Sequence, residues 1–213
     1  MGTHVNVLAA RHLKRVHLEM GGKNAIIVMD DADLDLALDG ILWSAFGTTG
    51  QRCTACSRLL VHQAIKKPLL ERLLARTEAL RLGDGLLPTT DVGPVINRRQ
   101  LEAIHAYMEV ARQEGATILT GGYIYTDGDG ARGFFYKPTL FDNVMPTMRV
   151  AREVIFGPVL SILTVQSLEE AIQVNNATGY GLSSAIYTRD VNRAFTAMRD
   201  LSTGIVYINA GTI

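Results

Sequence analysis

The chain has 213 residues, 47% of them apolar and 20% charged, which excludes both a disulfide-stapled miniprotein and a disordered chain. Its 21 basic and 21 acidic side chains cancel, so no global field draws in nucleic acid or an acidic membrane surface. Two cysteines, Cys53 and Cys56, have no further companions, which argues against a disulfide framework and for a reduced, cytoplasmic setting. Apolar runs such as 25–29 are too short to span a bilayer, and residues 1–15 lack the continuous apolar segment of a signal peptide.

In chain order, β-rich runs alternate with amphipathic segments, the pattern of a parallel sheet covered by helices. Residues 15–18 and 25–29 read as strands separated by Gly21 and Gly22. Asp33 opens a helix to about Phe46, its acidic first turn suiting the positive helix end. Residues 47–53 read as a loop, and 58–62 as a strand. Residues 68–80 form a strong helix with Leu69, Leu70, Leu73 and Leu74 on one side. Another helix covers 97–114 and stops at Gly115. Residues 116–125 and 134–141 are extended around a polar turn at 126–133. A strand at 158–165 precedes the capping-box pattern Ser167-Leu168-Glu169-Glu170, which opens the next helix. Residues 184–187 are a strand, 190–201 a helix and 204–208 a last apolar strand. Ile213 follows almost at once, without a polar tail, as expected of a piece of a longer chain.

Several motifs have bland readings. Residues 128–133 fit GxGxxG, but that fingerprint works where a strand turns into a helix, and the following Phe134-Phe135-Tyr136 favours extended chain. Asp127 and Asp129 echo a calcium loop that lacks its other oxygen ligands. The five histidines are scattered without zinc-ligand spacing. Cys53 and Cys56 are formally CxxC, but they precede a strand, whereas redox chemistry places the pair at a helix start after one.

Cys53 stands out by its setting. Gly47 and Gly50 allow close backbone approach, and Gln51 and Arg52 are polar. A free thiol with a pKa of about 8.5 is only a few per cent thiolate near neutrality, so a nucleophilic cysteine needs a base or a stabilising dipole. Glu19 is the candidate base: it ends an apolar stretch just before Gly21, where a carboxylate is either exposed at a sheet edge or held in a desolvating cleft. The residues themselves leave a small buried thiol as the alternative.

At these positions the chain resembles the aldehyde dehydrogenase superfamily. Leu18-Glu19-Met20-Gly21-Gly22-Lys23-Asn24 is similar to its glutamate motif. Residues 46–58, with Gly50-Gln51-Arg52-Cys53, are similar to its cysteine motif, and the separation of 53 − 19 = 34 residues is also the family's. Residues 152–158 resemble the cofactor-facing segment, and 180–182 with 204–209 resemble motifs near the end of the catalytic domain.

The resemblance implies an α/β fold, a three-layer, mostly parallel sheet with helices on both faces, and a catalytic domain over 1–213. It implies oxidation of an aldehyde by NAD or NADP, with Cys53 as nucleophile through a thiohemiacetal and thioester, and Glu19 activating water. Carried over by motif position, Phe156 packs near the nicotinamide, Gln100 approaches its ribose, and Gly21, Lys23, Arg58 and Asn209 brace the site with Gln51. A solvated cation or an ion pair is the plain alternative for Lys23 and Arg58, and a core position for Phe156. Where the family carries a carboxylate for the ribose the chain has Val154, a loss that only Glu153 could cover by reaching in. Family members are longer, with a dinucleotide-binding domain before this region and a final segment that completes the substrate pocket and an oligomerisation strand. The 213 residues alone are therefore expected to bind the cofactor weakly and oxidise aldehydes slowly. Cofactor-independent thiol ester hydrolysis, or a non-catalytic fragment that pairs with a separate cofactor domain or with itself, are the alternatives.

Overall fold

The computed structural model describes residues 1–212; Ile213, and the side chain of Asp129 on which the calcium-loop echo partly rested, lie outside the described residues. A helix α1 (Gly2–Ala10) leads to β1 (Ala25–Val28), α2 (Leu34–Phe46), β2 (Arg58–His62), α3 (Lys66–Glu78) and α4 (Arg98–Glu114). Then come β3 (Thr117–Thr120), β4 (Ile124–Tyr125), β5 (Phe135–Tyr136), β6 (Thr139–Asp142), the short α5 (Arg149–Arg152), β7 (Val159–Val165), α6 (Leu168–Asn176), β8 (Ser183–Tyr187), α7 (Val191–Asp200) and β9 (Ile205–Ile208).

The central strands are buried on both sides, so they read as continuous apolar runs, as parallel strands between helix layers do. Along β1, Ala25 and Ile27 enter one core while Ile26 and Val28 enter the other. The first core is closed by Leu101, Ile104 and Met108 of α4, Val150 of α5, Leu168 and Ile172 of α6, and Ala197 of α7. The second is closed by Leu38, Ile41 and Ala45 of α2 and by Leu69 and Leu73 of α3. This is the expected three-layer α/β fold with helices on both faces.

Seven strands pair in the order β3-β6-β7-β2-β1-β8-β9, and only β3 is antiparallel to its neighbour. The helix boundaries follow their caps. Asp33 accepts from the amides of Asp35 and Leu36, Asn97 from Gln100, and Asp190 from Asn192 and Arg193. Gly115 ends α4 at φ +90°, a left-handed cap that glycine adopts without a Cβ penalty. Ser167 accepts from the Glu170 amide as the capping box predicts, but the Glu170 carboxylate accepts from Gln166, one residue earlier than expected.

Three expectations change. Residues 15–18 form no strand: both neighbours of β1 are already β2 and β8, so the sheet offers no place there, and the stretch is irregular and largely exposed. The extended runs 116–125 and 134–141 each split, the first at Gly121 and Gly122 with φ +74° and +80° and the second around Pro138. Helix α1 was not anticipated, and it buries no residue. Among the described residues, no helix is long and apolar enough to cross a membrane.

Candidate active site

Strands β7, β2, β1 and β8 are neighbours and parallel, so their amino ends share one edge of the sheet. The segments that enter them, residues 153–158, 47–57, 19–24 and 178–182, therefore converge although they span most of the chain. Glu19 lies on one of these entering segments. The expectation that it ends a strand is corrected: it precedes β1 instead.

Asn24 joins three of the four segments. Its side-chain Nδ2 donates to the Cys53 carbonyl at 2.7 Å and to the Ala55 carbonyl at 3.0 Å, while its Oδ1 accepts from the Ser183 amide at 3.2 Å. Its own carbonyl accepts the amides of Ser57 and Arg58. Asn24 is buried, and each of these groups would otherwise lose water without a replacement partner.

The cysteine loop is anchored from the other side as well. Gln51 donates to the Pro94 carbonyl and accepts from the Ile96 amide, and the Thr49 hydroxyl donates to the Gly93 carbonyl. Gln51 thus braces the loop rather than presenting its amide to a ligand. Gly50 has φ +67°, and a Cβ there would land on the Gly157 carbonyl, so only glycine lets the loop close against the segment after Phe156. Held in this way, Cys53 is exposed while Cys56 is buried. The Cys53 carbonyl is taken by Asn24, but among the described residues nothing accepts its N–H. Burial pushes the Cys56 thiol up to about 12, which leaves it inert.

Phe156 presents a ring that is 42% exposed on a backbone at φ +55°. Such a conformation costs a bulky residue about 1–3 kcal/mol and persists only where the surroundings impose it. Gln100 supplies that restraint: its Nε2 donates to the carbonyls of Ile155 at 2.8 Å and Phe156 at 3.1 Å. The core alternative for Phe156 is thereby set aside, and the Gln100 amide is engaged with the backbone instead of reaching outward. Glu153 does not cover for Val154. Arg149 binds both its oxygens at 2.8 and 3.0 Å, the Tyr107 hydroxyl donates at 2.9 Å, and the Arg149 hydrogen bond foremost holds its carboxyl below the usual range.

Lys23 and Arg58 are neither solvated nor ion-paired. Both are buried; Arg58 donates to the carbonyls of Lys23, Val174 and Asn175 at 2.8–3.0 Å, tying β2 to the entrance of β1 and to α6. Burial, with the neighbouring Arg58 charge, pushes the Lys23 amine down to about 7. Asn209 sits at the carboxyl end of β9, away from the shared edge, where its side chain both accepts from and donates to the Thr188 backbone at 3.0 Å. Glu19 and Gly21 are exposed, and among the described residues the Glu19 carboxylate has no hydrogen-bond or ion-pair partner. Of the two settings open for Glu19, exposed or in a desolvating cleft, the described residues give the exposed one.

The GxGxxG match folds as a short turn of 3-10 helix, Gly128–Arg132, followed by extended chain, so it lacks the helix that a phosphate site requires. Among the described residues no group of three or more His, Cys, Asp or Glu is placed to hold a metal.

Comparison with known proteins gives the family. The aldehyde dehydrogenase family model matches residues 1–213. The chain is 43% identical over 209 residues to a betaine aldehyde dehydrogenase of Rhizobium leguminosarum bv. trifolii, covering 98% of this chain and 43% of that protein. It is 41% identical over 196 residues to an alpha-ketoglutaric semialdehyde dehydrogenase of Bacillus subtilis, covering 92% of this chain and 40% of that protein. A crystal structure of betaine aldehyde dehydrogenase from Staphylococcus aureus in complex with NAD+ superposes with a TM-score of 0.92 at 38% identity, covering 99% of this chain and 42% of the other. The chain thus spans about two fifths of the length of these relatives. Matched from its first residue to its last, it belongs to the aldehyde dehydrogenase family.

Proposed function

We propose that these residues form the nucleophile-bearing catalytic domain of an NAD(P)-dependent aldehyde dehydrogenase. The observation that carries the reading is the Cys53 peptide unit: an exposed thiol whose carbonyl is fixed by Asn24 and whose N–H is left without an internal partner. The Cys53 thiolate forms a bond to the aldehyde carbon as the carbonyl π pair moves to oxygen, and the uncommitted N–H donates to that oxyanion. A single donor of this kind contributes roughly 100- to 1,000-fold in rate.

Phe156 and the segment that Gln100 holds would pack against the nicotinamide; the fit is partial, since neither Val154 nor Glu153 offers a carboxylate to the ribose. When bound, an oxidised nicotinamide dinucleotide supplies the two-electron acceptor that raises the carbon to the level of a thioester. Glu19 then takes a proton from water, whose oxygen bonds to the acyl carbon as the Cys53 sulfur leaves. The exposure of Glu19, together with the greater length of the relatives, supports the expectation that a dinucleotide-binding domain and a closing segment outside these residues complete the site. The 213 residues alone would then turn over slowly.

Absorbance of reduced nicotinamide, followed after mixing the protein with an aldehyde and NAD+, tests the reading. Aldehyde-dependent reduction that disappears in Cys53→Ser supports it; reduction that persists unchanged in Cys53→Ser contradicts it.

A second reading, self-association, is favoured by the exposure of Phe195, Met198, Ile205 and Ile208 along α7 and the unpaired side of β9. Light scattering at increasing concentration checks it, with a constant monomer mass as the opposing result.

A further inference from the structure

Arg52 directly precedes Cys53 in the chain. Arg52 is half-buried, and its guanidinium is held from three sides. Nε donates to the Thr54 hydroxyl at 2.9 Å, Nη2 donates to the Thr212 carbonyl at 2.7 Å, and Cζ lies 5.9 Å from the centre of the Trp43 ring. By binding the side chain of residue 54, the arm of residue 52 bridges the chain across Cys53. Residue 54 adjoins Cys53, and neighbouring Cα atoms are about 3.8 Å apart, so this hydrogen bond keeps the guanidinium within roughly 10 Å of the sulfur.

All three partners are neutral. Among the described residues no carboxylate pairs with Arg52. The acids near Trp43 are already engaged, Asp39 with Arg76 and Asp91 with Arg81. A guanidinium presents five donors in a planar fork that matches a carboxylate, and only two are used here. The Trp43 face, which could have received a quaternary ammonium group, is already covered by the Arg52 cation.

Building on the aldehyde reading above, we infer that Arg52 makes the site select aldehydes whose far end carries a carboxylate, and disfavour cationic ones. Arg52 is thus a specificity-determining residue that meets the substrate's remote anion while Cys53 meets its carbonyl.

Alkylation of Cys53 tests this without any cofactor, because the buried Cys56 stays silent. The ratio of the rate with iodoacetate to that with iodoacetamide, measured by peptide mass spectrometry, should be about 3- to 10-fold higher in the wild-type protein than in Arg52→Gln. It should survive in Arg52→Lys and fall as salt is raised to 0.5 M, where the screening length is about 4 Å. In a second arm, glutaric semialdehyde should protect Cys53 from iodoacetamide at lower concentration than pentanal, and pentanal at lower concentration than 4-(trimethylammonio)butanal. Equal ratios in wild type and Arg52→Gln, or measurable protection that is the same for all three aldehydes, overturn the inference. If the glutamine variant does not fold, a wild-type ratio insensitive to salt overturns it instead. Absence of protection by every aldehyde, with the ratio intact, defeats the aldehyde reading and leaves the anion preference at Cys53 standing.

Discussion

The cysteine loop and the glutamate segment enter adjacent strands of one sheet, yet they are held very differently. From Thr49 to Ala55 the loop is fixed by Asn24, by the Gln51 amide, by the Thr49 hydroxyl and by the close approach of Gly50 to Gly157. Residues 17–21 are exposed throughout, and burial begins only at Lys23. Cys53, the proposed nucleophile, is therefore placed by hydrogen bonds inside these residues, whereas among the described residues the Glu19 side chain has no such partner and its neighbours Leu18 and Met20 only approach Gly2 of α1. A reactive group that must be held to better than about 1 Å in its productive position needs the first kind of support.

The sharpest way to break this contrast is Gly50→Ala. A Cβ at φ +67° costs about 1–2 kcal/mol by itself, and its collision with the Gly157 carbonyl drives the Phe156 segment away from the loop. Aldehyde oxidation should fall by roughly 100-fold or more, which steady-state kinetics checks. Next comes Asn24→Ala, which orphans the Ala55 carbonyl and the Ser183 amide in the interior. Urea unfolding should show a loss of about 2–4 kcal/mol.

Lys23→Met sharpens the comparison from beneath. The Lys23 amine titrates near 7 in the fold, against an ordinary value of 10.5. Between those values the unfolded chain binds the proton and the folded chain does not, so stability rises with pH over that window and levels off below 7. From pH 7 to 9.5 the wild type should gain on the order of 2 kcal/mol that the methionine variant does not, its own stability being higher at pH 7. The smallest effect on folding belongs to Glu19→Gln: stability should stay within about 0.5 kcal/mol, while release of an acyl group from Cys53 slows by on the order of 100-fold.

Much of this was legible in the residues. Continuous apolar runs at Ala25–Val28 and Val159–Val165 marked doubly covered strands, and Asp33, Asn97, Ser167 and Asp190 marked helix starts because their side chains cap exposed amides. Gly50 and Phe156 were singled out, and the structure joins them. What periodicity does not encode is sheet order. Residues 15–18 look extended locally, but the places beside β1 belong to strands far along the chain. For the same reason Glu19 was set at the end of a strand that does not form, and Asn24 was passed over although it ends the glutamate motif. Its signal, an amide directly before a buried strand, becomes a hub only once β2 and β8 lie on either side. Arg58 was expected to brace the site, with a carboxylate or water as the plain alternative partner, and the carbonyls at the carboxyl end of α6 that it binds were invisible until the fold placed them.

The central claim is that Cys53, and no other side chain, is built to take an acyl group. Treating the protein with p-nitrophenyl acetate near neutral pH, quenching in acid and locating the acetyl group by peptide mass spectrometry tests it most directly, since neither cofactor nor further domain is needed. The account predicts a single acetyl group on Cys53, none on Cys56, and a longer-lived adduct in Glu19→Gln. Acetylation spread over lysines and Cys56 at rates matching Cys53, or a Cys53 that stays unmodified, would contradict it.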